Sequence, residues 1–168
     1  FEGYIKLVDR PLTSILYPKY NVLFLRLNAT MALSDAEQTE RTIEQMAKLK
    51  MNDEQRLALA VKAFSFYVDV EDKRKAKEAL KYIEKHGGKE AARVNRRTYD
   101  IFLKKSSAYI SEMEHALEKA APSDEVMLCQ LLAVQYENKG DHKKAAAYRE
   151  RVERVMDATL GKNAAALE

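Results

Sequence analysis

Apolar residues recur along most of this chain at the spacing of a helix. Between Asp53 and Val70 they fall at Leu57, Val61, Phe64 and Val68, four, three and four residues apart, which keeps them on one side of a helix. From Pro18 onward nearly every segment reads this way, and stop and start signals cut the pattern into short pieces. Pro18 suits a first helical turn. Ser34-Asp35-Ala36-Glu37 spells a capping box, in which the Ser34 hydroxyl accepts an orphan amide while Glu37 reaches back. Asn52 or Asp53 can cap the next start, and Gly87-Gly88 can end a helix in the left-handed conformation. Ser106-Ser107, Pro122-Ser123 and Gly140-Asp141 mark further junctions. The pattern predicts helices over 18–33, 35–50, 53–70, 72–86, 89–105, 107–120, 123–139 and 141–157.

These eight predicted helices form four pairs, starting near Pro18, Asp53, Lys89 and Ser123, at spacings of about 35, 36 and 34 residues. A fixed period in that range is the signature of stacked helix-turn-helix repeats. One helical hairpin cannot bury its apolar stripe alone, whereas stacked hairpins share a continuous core. The second helix of the second pair places Ala76, Leu80 and Ile83 at a small-large-apolar spacing, and the fourth pair places Ala145 and Val152, with Tyr148 beside Arg149 between them. The first pair gives Thr39, Ile43 and Met46, and the third gives Ile110 and Leu117 with Met113 between. Aromatic residues stand near the ends of two first helices, Tyr67 and Tyr136. The turns Glu71-Asp72 and Gly140-Asp141 join paired helices, and Pro122 separates two pairs. On these residues, segment 18–157 resembles the tetratricopeptide repeat family, although the first-helix Trp and most Gly positions of that family are missing. The resemblance implies an all-α fold, a right-handed α-solenoid of about four antiparallel helix-turn-helix repeats.

Segment 1–17 stands outside the repeats. Phe1, Tyr4, Ile5 and Val8 make a short helical stripe that Pro11 ends. Three readings stay open for it: the last helix of an upstream repeat, a cap on the solenoid, or the stub of a helix leaving a membrane. The chain starts without Met, so a piece of a longer protein is expected, and Ala164-Ala165-Ala166-Leu167-Glu168 reads as a vector-derived tail. The expected organisation is therefore an extra helix or linker over 1–17, a repeat domain over 18–163 and a tail over 164–168.

Composition narrows the function classes. The 168 residues contain 29 Lys+Arg against 26 Asp+Glu, a formal net charge of +3, which is no strongly basic nucleic-acid footprint. A single Cys excludes an internal disulfide framework, and low Gly and Pro content (5 and 3) argues against an all-β sandwich. No run approaches the roughly 18–20 apolar residues of a membrane span.

Little in the sequence spells catalysis. There is no His-Glu-x-x-His, no Gly-rich phosphate loop and no Cys-x-x-Cys, so neither a catalytic residue, a metal nor a cofactor is expected. His86 precedes Gly87 at a helix end, where a cationic imidazole suits the dipole, and His142 follows a turn. Glu112-x-x-His115 is half of a di-iron motif without its second half. Cys129, between Met127 and Leu131, reads as a small core residue rather than a redox thiol. Asn28-Ala29-Thr30 spells a glycosylation sequon in mid-helix. Lys73-Arg74-Lys75 reads as a solvated face. In the helix predicted over 89–105, Arg93, Arg97 and Lys104 share one stripe, a candidate grip for phosphate or an acidic surface. On a helical wheel that stripe lies about 150° from Tyr99.

The resemblance also implies a binding surface, because solenoids of this family present the first helix of each pair on a concave face where peptides or helices lie. The residues it places there are Phe24 and Asn28 (with Asn21 and Met31), then Val61, Ser65 and Val68, then Asn95, Tyr99 and Phe102, then Met127, Gln130 and Val134 (with Glu137). Phe24, Val61 and Val68 stand where carboxylate-clamping members of the family carry polar residues, so an apolar or amphipathic peptide is the expected ligand. Three functions are expected in descending order. The first is a non-enzymatic protein-protein interaction scaffold, and the second an accessory domain positioning part of a larger enzyme, regulator or membrane-anchored protein. The third is RNA or polyanion binding through the basic helix. A protein or peptide partner is expected over nucleic acid. A cytoplasmic setting is favoured, with membrane anchoring upstream of Phe1 left open.

Overall fold

The computed structural model describes residues 17–165, and the expectations for the N-terminal segment before Tyr17 fall outside them. Eight helices account for most of the described residues, with no strand among them: α1 Lys19–Ala32, α2 Ala36–Ala47, α3 Asp53–Asp69, α4 Lys73–His86, α5 Gly88–Phe102, α6 Ile110–Leu117, α7 Pro122–Lys139 and α8 His142–Ala165. The all-α expectation holds and every predicted helix is present. The helix predicted over 141–157 runs on to Ala165, past the expected start of the tail. The helix predicted over 107–120 shortens to eight residues. Pro18 is the residue before α1 rather than its first turn.

One turn recurs. Ser34, Glu71 and Gly140 sit at φ 55°, 55° and 82°, the left-handed region where a helix commonly ends. The next residue is Asp each time, and its N–H returns to the carbonyl five residues back: Asp35 to Thr30 (3.0 Å), Asp72 to Tyr67 (2.9 Å), Asp141 to Tyr136 (2.9 Å). Each Asp carboxylate then accepts from the amide three residues on, Gln38 (3.0 Å), Lys75 (2.9 Å) and Lys144 (3.1 Å), and so caps the following helix. Four residues after each Asp stands a small side chain, Thr39, Ala76 or Ala145, with 1% or less of its surface accessible. The capping box expected on Ser34 is therefore corrected: Asp35 is the cap, because Ser34 is consumed by the left-handed turn.

The third turn departs from this pattern. Lys105 also has positive φ (56°), but Ser106 follows it, and its Oγ accepts from Ala108 N–H (3.2 Å) instead of capping a helix. α7 holds the irregular segment instead. Asn138 Nδ2 donates to the carbonyls of Ile101 (2.9 Å) and Ser106 (3.1 Å), and the fully buried Gln135 accepts from Tyr109 N–H (3.0 Å). The expected third hairpin is accordingly loose: α6 packs its backbone closely against α7, and meets the end of α5 through side chains such as Met113 and Ile101.

The chain divides into two compact units within α5, at Arg96/Arg97. In the first, α1 pairs with α2 and α3 with α4, and α2 touches α3. α3 buries two adjacent stripes, Leu59, Ala63, Phe66 and Tyr67 beside Phe64 and Val68, a wider face than the one the sequence pattern marks. Asn52 and Gln55 form a capping box at its start. Lys75 of α4 pairs with Glu40 of α2, and Arg96 with Glu84 (2.5 Å). Between α4 and α5, Gly88 takes the positive φ (77°), while Gly87 is needed for room: a Cβ there would lie 2.7 Å from the Ile83 carbonyl oxygen. In the second unit α7 pairs with α8 and α6 covers α7, around a core of Ile101, Met113, Leu128, Cys129, Leu132 and Tyr136.

Candidate functional site

The stripes expected to face a partner are left uncovered to different degrees. In the first unit, Phe24 and Asn28 of α1 are half-buried, with Phe24 stacked on Tyr20 at 5.5 Å, and Asn21 is exposed. On α3, Val61 is half-buried and Ser65 exposed, but Val68 is 7% accessible and belongs to the core. Asn95 of α5 spends its amide on the Ala91 carbonyl (2.8 Å). In the second unit Tyr99 is 6% accessible and Phe102 packs partly against the core, so both support the fold more than they offer a surface. α7 is the most open: Met127 is 49% accessible, Gln130 is exposed and Val134 half-buried, three and four residues apart on one side of the helix.

The basic stripe is built into ion pairs. Arg93 meets Glu90 (2.9 Å), Arg97 meets Glu112 (3.3 Å) and Lys104 meets Asp100 (2.8 Å). Because α5 ends at Phe102, Lys104 leaves the helical wheel, and its ammonium lies over the Tyr99 ring at 5.6 Å. The expected separation of Lys104 from Tyr99 is thus corrected.

Polar chemistry in the second unit converges on Glu114. Its Oε1 accepts from the hydroxyls of Tyr136 (2.6 Å) and Tyr148 (2.9 Å), whose rings stack at 5.6 Å, and Lys144 Nζ donates to the Tyr136 oxygen (3.2 Å). The Tyr136 hydrogen bond holds the Glu114 carboxyl below its usual range. Burial, followed by the bond to Glu114, pushes both phenols up. Every group in the cluster has a partner, so it ties α6, α7 and α8 together. The histidines do not assemble: His86 stacks on Tyr82 (4.3 Å), His115 neighbours Glu118 (3.4 Å) and His142 contacts Glu137 (2.8 Å). Among the described residues no three His, Cys, Asp or Glu side chains stand where they could share a metal ion. Cys129 is fully buried, and burial raises its thiol.

Depressions in the first unit include an open one of about 390 Å³ walled by Glu44, Tyr67, Arg74, Lys75 and Glu78, and two others. An open apolar one of about 520 Å³ has Ile43, Ala47, Met51, Leu59, Ala79 and Tyr82 on its walls. A narrower one of about 300 Å³ sits where the α1–α2 turn meets the end of α3, with Met31, Ser34, Thr39, Phe66, Asp69 and Val70 around it. Of the expected partner-facing positions only Met31 reaches this cavity. The acidic member escaped sequence reasoning, although a signal existed: Asp69 is a carboxylate in the last turn of a helix, where the macrodipole disfavours it.

No helix of the described residues is long and apolar enough to cross a membrane. No protein-family model, no curated protein and no solved structure matches the chain.

Proposed function

We propose that the chain is a degenerate tetratricopeptide-like right-handed α-solenoid that works as a non-enzymatic interaction scaffold, holding a partner peptide or helix against the first helices of its hairpins. The observation that carries the reading is the open stripe of α7, where Met127 keeps half its surface in water beside exposed Gln130 and half-buried Val134. An adaptable methionine on such a stripe suits an amphipathic peptide laid along it. The recurring left-handed-Asp turn supports the repeat, since it gives three hairpins one geometry from three different sequences. Polyanion binding through α5 stays the weaker reading, because Arg93, Arg97 and Lys104 each pair with a carboxylate.

The test is selection of peptides from a random displayed library on the whole chain, followed by titration against Met127→Glu. The reading expects amphipathic peptides whose affinity drops about tenfold or more in the variant, roughly 1.4 kcal/mol. Failure to select any peptide, or equal binding to the variant with helicity intact, overturns it.

A further inference from the structure

We propose that the cavity between the α1–α2 turn and the end of α3 is a pocket for a basic side chain of a partner peptide, an Arg or Lys flanked by apolar residues. This inference rests on the scaffold reading and deepens it by naming the chemistry that one subsite selects.

Size and shape come first. About 300 Å³ is ample for a guanidinium or ammonium on its aliphatic stem, and small for a helix. Met31, Phe66 and Val70 supply apolar walls, and Val70 keeps 46% of its surface accessible beside the mouth. Long basic side chains pack their methylenes on such walls while the charged head seeks an anion.

Charge decides the sign. Asp69 is the acidic group on the cavity wall, and no basic residue lines it. Desolvation by its surroundings pushes the Asp69 carboxyl above its usual range. α1 ends at Ala32 and α3 at Asp69, so two helix C-termini, each with partial negative charge, close on the same place. The capping carboxylate of Asp35 meets the positive start of α2. Asp69 is exposed at the edge of the cavity, yet its carboxylate opposes the dipole of its own helix and is partly desolvated by the wall beside it. A cation on a long stem reverses both penalties.

Three basic residues of α1, α2 and α4 are held by other partners. Arg26 donates to Gln38 (3.2 Å), Arg41 pairs with Glu37 (2.5 Å), and Arg74 with Glu78 (2.9 Å). An anionic or purely apolar occupant would leave the carboxylate worse off than water does.

The experiment is an amide NMR titration of the full chain with Nα-acetyl-arginine amide, and in parallel with the uncharged Nα-acetyl-norleucine amide. The expected result is saturable shifts at Ser34, Phe66, Asp69 and Val70 with the arginine probe, weakening as salt rises. They should be absent with norleucine and lost in Asp69→Asn, while the remaining spectrum of the variant stays folded. Equal shifts with norleucine, shifts that survive in Asp69→Asn, or no shifts with arginine would each overturn the pocket. The scaffold reading fails separately. Peptides that depend on Met127 yet carry no basic residue, and bind Asp69→Asn as well as wild type, would leave the scaffold standing and remove this subsite.

Discussion

The Tyr148 hydroxyl donates to Glu114 Oε1 at 2.9 Å, joining α8 to α6 across 34 residues of sequence. Tyr136 of α7 reaches the same oxygen, so one carboxylate links three helices. Tyr148 thus does by hydrogen bonding and stacking what a large apolar residue at position 149 would do by packing. Arg149 is free to face outward and pair with Glu137 (3.0 Å).

Glu114→Ala removes the shared acceptor from two partly buried phenols, and should destabilise the second unit by about 2 kcal/mol in chemical denaturation. Because the Tyr136 bond holds the Glu114 carboxyl below its usual range, its stabilisation is present above about pH 4–5 and is lost as pH falls through the depressed value. The stability gap between wild type and Glu114→Gln should therefore narrow on acidification. At the alkaline end, the raised phenols of Tyr136 and Tyr148 contribute below the ordinary tyrosine range and lose that contribution above it. Ultraviolet titration should show two fewer late-ionising tyrosines in the variant Tyr136→Phe/Tyr148→Phe than in wild type.

The recurring turn gives opposed predictions for adjacent residues. Asp35→Ala removes the cap on Gln38 N–H and should cost about 1 kcal/mol. Ser34→Gly relieves a side chain held at φ 55° and should be neutral to stabilising by about 0.5 kcal/mol. Thermal unfolding of both variants checks the pair. A destabilising glycine would show that Ser34 has a role beyond the turn.

Asn138 ties the irregular 103–109 segment to the end of α5 through the carbonyls of Ser106 and Ile101. Asn138→Ala leaves both without that donor. Amide hydrogen exchange should quicken across 103–109 while α3 and α4 keep their protection.

Cys129 is fully buried in the core of the second unit. A thiol reagent should therefore label it only as fast as that unit opens, and Glu114→Ala should accelerate the labelling. Rapid labelling of the native wild type would contradict this packing.

Much of the fold is legible in the residue pattern because local signals agree with it. The small-large-apolar set Ala76, Leu80 and Ile83 is buried as its spacing predicts. Gly140-Asp141 and Glu71-Asp72 sit at the turns where they read. Ser34-Asp35 misleads because a capping-box spelling and a left-handed turn compete for one serine, and the backbone hydrogen bond from Asp35 to Thr30 decides it. The third hairpin misleads because its turn lacks the Asp, and the replacement partners, Gln135 as acceptor and Asn138 as donor, come from about 30 residues further on. Surface is harder to read than core. Val68 and Tyr99 lie in register with half-buried or exposed neighbours, yet packing from other helices buries them, which no single-helix pattern encodes. Asp69 matters through the cavity around it, and that cavity exists only once α1, α2 and α3 meet.

Hydrogen exchange of the full chain, with and without a library-selected peptide at saturation, tests the scaffold most directly. The account predicts slowed exchange concentrated on first helices: the Phe24–Met31 stretch of α1, the Val61–Asp69 stretch of α3 and the Met127–Val134 stretch of α7. Slowing confined to α4 and α8, or none despite full occupancy, would contradict it.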